Sequence, residues 1–430
     1  MSSTSRREFL GATAAAAASV AISRSVYGAA ENRTLRLGVI GVGWYGMVDA
    51  RAALKVGGVE IAAVCDVDSD HLKQSADELE KLQGKRPKGF KMYEELLDLK
   101  GLDAVIIATP PHWHALVFIA ALKCGLDVYC EKPLAYEIRE GQAMVDAAAK
   151  YGRIVQIGFQ RRQSKAFAEV KKFIDSGEAG EIVQVDAQIH YTAGLKDPKP
   201  QDPPAALDWD LWCGPGPKIP YSPEVGHMNW RLERTSGHGH LVDWGIHLID
   251  GCRKILDLPM PMELTAAGGI YQLKDRITTP DTLTVHFEFE RLPIVWRHRI
   301  WGAEEYQPET SNGIFFYGDK ATIFATDSSW TVIPRGKSKQ RKQFNAASDT
   351  GEAHMNDFLT AVRARRQPTC SPDDAFRSTA TVQLAMIAFE TASTVRWDAD
   401  RRQIPGNPLA ANLLKREYRQ PWKHPYTERS

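Results

Sequence analysis

The chain has 430 residues, enough for two domains or three. Its composition is that of a soluble globular protein, 43% apolar and 25% charged, and its formal net charge of +1 excludes strong electrostatic attraction to nucleic acid or an anionic membrane. The six cysteines form no CxxC pair and no zinc-ligand spacing, so neither a disulfide framework nor a cysteine metal centre is indicated.

Residues 1–30 read as an export signal. Ser5-Arg6-Arg7-Glu8-Phe9-Leu10 supplies a basic start, Gly11 to Ile22 a mild Ala-rich middle, and Ser25 to Ala30 a small-residue cleavage region. Paired arginines before Phe-Leu resemble the twin-arginine (Tat) type, which makes the Tat machinery a partner and predicts a periplasmic or otherwise exported protein. The stretch is too short and weakly apolar to anchor in a bilayer, and no membrane span is expected elsewhere.

Residues 31–157 carry the pattern of a Rossmann domain. Leu35 to Ile40 is an apolar strand that runs into Gly41-Val42-Gly43-Trp44-Tyr45-Gly46, a G-x-G-x-x-G loop opening a helix at about 44–56. Gly41 permits the turn, Gly43 lets backbone approach a pyrophosphate, and Gly46 lets helix and strand pack closely. A second strand, Val59 to Cys65, ends at Asp66, placed to hold a ribose 2′-OH and to repel a 2′-phosphate; this favours NAD(H) over NADP(H). Asp68 or Ser69 is the better helix cap. Strands at 104–108, 128–130 and 154–157 alternate with helices at 114–124 and 137–150, giving a parallel sheet with ligands outside its C-terminal strand ends. That rim gathers the cofactor-binding candidates Gly41, Gly43, Trp44, Tyr45, Gly46, Asp66, Thr109, Pro110, His112, His114, Glu131 and Lys132, with Gln160 just beyond.

Residues 158–400 change pattern, and 401–430 form a C-terminal extension. Val183, Val185, Ala187 and Ile189 alternate with polar residues, as do Leu283, Val285, Phe287 and Phe289. Further strand-like runs at 262–273, 292–301, 313–317 and 321–325 complete a largely antiparallel sheet with one face buried. Helices are expected near 163–176, 352–366 and 373–396. The fold class is therefore α/β: an N-terminal Rossmann domain plus a C-terminal α+β domain. Within the second half, His238-Gly239-His240 leads into Asp243-x-Gly245-x-His247-x-x-Asp250. On a helix Asp243 and His247 share a face, and His240 and Asp250 extend it. A structural network, a metal site and an acid–base pair all fit this stripe.

The glycine loop, Thr109-Pro110 with His112-Trp113-His114, the Glu131-Lys132-Pro133 triplet and the Asp243 to Asp250 pattern together resemble the glucose–fructose oxidoreductase / inositol dehydrogenase / rhizopine-catabolism family (Gfo/Idh/MocA) over residues 34 to about 420. Leu207 to Trp212 with Gly214-Pro215, and Arg416-Glu417-Tyr418 with Pro421-Trp422, resemble an exported branch of it. The resemblance implies an enzyme that transfers hydride between NAD(H) and a sugar, polyol or glycoside hydroxyl carbon. In it Lys132 holds the reacting hydroxyl, His247 is the general base, and Asp243 binds substrate or steers the base. It also implies a homo-oligomer assembled through the free sheet face. Arg161, Tyr191, Trp230 and Arg231 are the substrate candidates, with Arg162, His190 and His227 as further wall positions. No metal is assigned, with a site on His238 and His240 as the lesser alternative. A redox-neutral NAD-dependent glycosidase and a non-catalytic cofactor-binding relative are the rival readings. Export in the folded state predicts a tightly bound NAD(H), recycled in place, with Trp44 and Tyr45 closing over the pyrophosphate.

Overall fold

A computed structural model describes residues 33–303, 312–336 and 340–427. The export-signal segment, residues 1–30, lies outside the described residues. The six strands β1 (Leu35–Ile40), β2 (Val59–Cys65), β3 (Lys88–Phe90), β4 (Ala104–Ile107), β5 (Asp127–Glu131) and β6 (Val155–Gly158) form one parallel sheet in the order β3-β2-β1-β4-β5-β6. Its central strands are buried on both faces, which is why β4 reads Ala-Val-Ile-Ile without alternation. The helix Ser69–Gln83 begins where Asp68 accepts the N–H groups of Asp70 and His71, and ends at Gly84 in the left-handed region.

The second sheet has nine strands: β7 (Ile182–His190), β8 (Glu263–Gly269), β9 (Thr282–Glu288), β10 (Pro293–Arg299), β11 (Asn312–Gly318), β12 (Ala321–Ala325), β13 (Ser329–Pro334), β14 (Lys342–Asn345) and β15 (Val395–Arg396), in the order β14-β13-β12-β11-β7-β10-β9-β8-β15. Every neighbouring pair is antiparallel except β7 with β10. The alternation in β9 and β10 is as expected: Leu283, Val285, Phe287, Ile294 and Trp296 are buried while Thr284, His286 and Arg297 face out. Val183 departs from it. A bulge where Tyr317 pairs with Gln184 but Gly318 with Ile182 turns Val183 outward, 54% exposed.

The two halves share their packing. Helix Pro372–Thr391, capped by Ser371 and buried along most of its length, packs against both helix Ile138–Tyr151 of the first half and helix Ile246–Ile255 of the second. Helix Thr350–Ala364 returns to the parallel sheet, where Met355, Phe358, Leu359 and Val362 join the core of Leu37, Val39, Tyr129 and Ile154. Lys55 of helix Tyr45–Val56 pairs with Asp349 and Glu352 at its start.

Between β7 and helix Ile246–Ile255 the chain makes a strap over the C-terminal ends of the parallel strands. Ser69 donates its N–H to Ala206 O at 2.9 Å and Asp208 to Val67 O at 3.1 Å. Lys91 pairs with Asp208 at 2.6 Å and His227 Nε2 lies 2.9 Å from Asp68 Oδ2. Trp113 Nε1 donates to Leu211 O at 3.0 Å. The C-terminal segment fastens the outside of this arrangement: Arg416 lies 3.8 Å over the Tyr136 ring and pairs with buried Glu140, and Arg419 pairs with Asp210 of the strap.

Candidate active site

The glycine loop is built as its spacing demands. Gly41 sits at φ +85° with no room for a Cβ against Thr109 N at 2.7 Å, and a Cβ on Gly46 would meet Gly41 O at 1.9 Å. The loop therefore lies against β4 and opens at Gly43, which lines a cleft with Trp44, Tyr45, Asp66, Thr109 and Pro110. Asp66 closes the far end. Its Oδ2 accepts the Val42 N–H at 2.9 Å and its Oδ1 the Asp68 N–H at 3.0 Å. Burial raises its pKa, against these backbone donors and the nearby His71 and His227. The strap supplies the opposite wall of the same cleft through Trp212, His227, Met228, Trp230 and Arg231. A glycine turn, a helix N-terminus and a carboxylate just past the end of β2 fit a dinucleotide, whose phosphates Gly43 would face and whose ribose Asp66 would hold.

A second cavity continues from this cleft, sharing Trp44, Tyr45, Thr109, Trp230 and Arg231 with it, and is lined by Glu131, Lys132, Gln160, Arg161, Asp243 and His247. Lys132 follows directly on the end of β5, where its Nζ donates to Asp243 Oδ1 at 2.8 Å and Asp243 O at 2.7 Å. Arg231 Nε meets the other carboxylate oxygen at 2.9 Å. Burial works to raise the Asp243 pKa, but Lys132 and Arg231 outweigh it and hold the carboxylate ionised, well below its ordinary range. His247 is buried, and its Nδ1 has no partner among the described residues. Burial, reinforced by Lys132 and Arg161, keeps its pKa far below the usual value, so the imidazole is neutral. Behind Lys132, Glu131 accepts from Gln160 Nε2 at 2.6 Å, and its burial pushes its pKa up to about 7 against the pull of Lys132 and Gln160.

The stripe expected from Asp243 to Asp250 is broken. Leu241–Gly245 is a π-helical turn, and the α-helix starts only at Ile246. Its wider closure upsets the four-residue register, and Asp243 is committed to two cations rather than to His247. Gly245 is required there: a Cβ would meet the Trp296 ring at 2.8 Å. Asp250 faces away and binds Arg162 through both oxygens, at 2.6 and 2.9 Å, and Ser378 at 2.6 Å. His240 packs on Tyr191 and His298, whereas His238 meets Tyr136 O at 2.9 Å, so the two histidines occupy different surroundings.

The other candidates divide similarly. Arg161, Trp230 and Arg231 line the inner cavity, and Tyr191 sits behind it against His240. Arg162 and His190 are held elsewhere, by Asp250 and by the Arg299 N–H. His112 and His114 lie behind the rim instead of in it: His112 Nε2 is 2.8 Å from Trp212 O, and the His114 ring bridges Pro133 O and Thr109 O, each at 2.8 Å. They brace the strap and the Thr109 and Lys132 turns. Trp244, Asp327 and Thr350, missed in the sequence, also line the inner cavity. They come from three separate segments, and no local spacing announces them.

A doubly wound nucleotide fold whose rim carries Lys132 and is completed by an α/β second domain bearing Asp243 and His247 defines an NAD-binding oxidoreductase scaffold. Residues 35–159 match the family described as "Oxidoreductase family, NAD-binding Rossmann fold" and residues 164–424 its C-terminal alpha/beta domain; the chain belongs to the Gfo/Idh/MocA oxidoreductase family. It is 38% identical over 162 residues to inositol 2-dehydrogenase of Salmonella typhimurium (strain LT2), covering 37% of this chain and 47% of that one. It is 30% identical over 164 residues to inositol 2-dehydrogenase/D-chiro-inositol 3-dehydrogenase of Lactiplantibacillus plantarum, covering 38% and 45%. The chain thus spans about half the length of the curated relatives it matches. Its fold is shared with aldose-aldose oxidoreductase from Caulobacter crescentus, at TM-score 0.66 and 18% identity over 85% of this chain and 100% of the other. A levoglucosan dehydrogenase solved with NADH and levoglucosan has TM-score 0.66 and 17% identity over 85% and 99%.

Asp66 gives a direct test of cofactor choice. Asp66→Ala removes both a charged acceptor for the ribose 2′-OH and the repulsion of a 2′-phosphate. NAD binding should weaken roughly tenfold or more, in line with the about 1.5–3 kcal/mol of a hydrogen bond to a charged group, and the gap to NADP should narrow in titrations of nucleotide fluorescence. Tighter binding of NADP than of NAD by the wild type would refute this role.

Proposed function

We propose that this protein transfers hydride between NAD(H) and a hydroxyl-bearing carbon of a sugar, polyol or glycoside. The observation that carries the reading is the Lys132–Asp243–Arg231 ion-pair set beside neutral, buried His247, in a cavity continuous with the glycine-loop cleft. The Lys132 ammonium has three donors, and two are occupied by Asp243, which leaves one for the substrate oxygen. His247 takes the hydroxyl proton while Lys132 stabilises the oxygen as it becomes an alkoxide. Asp243 fixes Lys132 and is itself fixed by Arg231. NAD(H), when bound, accepts or returns the hydride. Incubating the protein with a panel of sugars, polyols and glycosides, reading nicotinamide absorbance and released products together, tests the reading and separates net dehydrogenation from redox-neutral glycoside cleavage. A panel that gives neither signal overturns it.

The same reading places the protein outside the cytoplasm, exported already folded by the twin-arginine route, with NAD(H) loaded beforehand and recycled in place. It also makes the chain a homo-oligomer through the open face of the nine-stranded sheet. Support for retention comes from the strap, which roofs the nucleotide cleft with residues of the second half and is anchored by Asp208–Lys91 and His227–Asp68. Protein purified without added nucleotide, dialysed and then denatured should release close to one NAD(H) per chain. Empty protein that binds NAD weakly and reversibly would exclude retention.

A further inference from the structure

The chain holds eleven tryptophans, and most are in the core or half-buried. Two are not: Trp44 is 52% exposed and Trp244 is 40% exposed. Both line the inner cavity, one from the glycine loop and one from the π-helical turn between Asp243 and Gly245. Exposed large apolar surface is costly, and two indoles at one cavity mark a binding surface more often than chance. Each ring is also held. The Arg231 guanidinium lies 5.6 Å from the Trp44 ring centre, and Arg161, paired with Asp327 at 3.1 Å, lies 5.8 Å from that of Trp244.

The cavity is therefore graded. Its buried end presents Lys132, Asp243, His247, Glu131 and Gln160, groups that match the hydroxyls of one reacting ring. Its exposed indoles offer flat apolar faces and few hydrogen bonds. A pyranose has such a face, where its axial C–H bonds point the same way; an open-chain polyol does not present one in a fixed form. We infer that Trp44 and Trp244 form an outer subsite for a second sugar ring, so that the substrate is a disaccharide or larger glycoside with its reacting ring at Lys132. This rests on the function proposed above and narrows its substrate class.

The test compares binding of matched sugars, glucose against cellobiose and maltose and galactose against lactose, to the NADH-loaded protein by calorimetry. At least one disaccharide should bind about tenfold more tightly than its monosaccharide. Trp244→Ala should close that gap by weakening the disaccharide more than the monosaccharide, while Trp244→Phe, which keeps a ring, should preserve most of it. Trp44→Ala is read alongside its NADH content, since Trp44 also faces the cofactor cleft. Monosaccharides bound as tightly as disaccharides, or a gap that survives Trp244→Ala, would overturn the outer subsite alone. Failure to bind any sugar would overturn the substrate class proposed above as well.

Discussion

Replacing Lys132 or His247 by alanine should lower turnover by roughly 10²- to 10⁴-fold, the contribution of a positioned acid–base group. The two losses have different origins. Without Lys132 the alkoxide loses its ammonium partner, and Asp243 keeps Arg231 as its counter-ion among the described residues. Without His247 the hydroxyl proton has no neutral acceptor. The His247 variant should still bind NAD(H), because His247 is not among the described residues that line the glycine-loop cleft. Stopped-flow measurement of hydride transfer in both variants, with nucleotide content determined in parallel, checks this. Near-normal rates in both would remove these residues from the mechanism.

Asp250→Ala should instead act on stability. Arg162 and Asp250 are 5% and 4% exposed and meet through two hydrogen bonds, with Ser378 on the same carboxylate and Asp374 on the same guanidinium. Removing Asp250 leaves the buried Arg162 with Asp374 as its remaining carboxylate, so the loss should stay below the about 3–5 kcal/mol of a fully unpaired buried charge. The denaturation midpoint should fall clearly, while protein that remains folded transfers hydride at close to the wild-type rate. An unchanged midpoint with collapsed turnover would make Asp250 part of the chemistry.

Asp250 also marks how far the sequence could be read. The positions of the glycine loop, Asp66 and Lys132 are legible because they follow from local constraints, a turn that needs glycine and the ends of buried strands, whereas the role of Lys132 comes from the family resemblance alone. The Asp243–His247 pairing was inferred from a regular helix, and the π-helical turn defeats that inference. Nothing in Leu241 to Gly245 signals the extra width except Gly245, whose reason is the Trp296 ring from a strand some fifty residues away. Strand β3 went unread because Lys-Gly-Phe has no alternation, and β14, exposed along its whole length at the sheet edge beside β13, has no buried face to announce it. The strap was invisible for a different cause. Some of its anchors, such as Ala206 O to Ser69 N, are backbone contacts that leave little trace in residue type, and its ion pairs Asp208–Lys91 and His227–Asp68 join residues too far apart in the sequence for any local spacing to show them.

Helix Thr350–Ala364 has a consequence for anyone recombining this family. The natural-looking cut lies near residue 160, between the two regions that match the family. A chimera joined there would set a foreign nucleotide half against Met355, Phe358 and Val362, side chains shaped to Tyr129, Leu37 and Ile154. It would also leave His354 without the Gln156 side chain that donates to its carbonyl. The exchangeable block is discontinuous: residues 35–159 together with 350–364. Grafts that move both pieces should be more soluble than single-segment grafts, with the contact of helix Pro372–Thr391 on helix Ile138–Tyr151 still crossing the join.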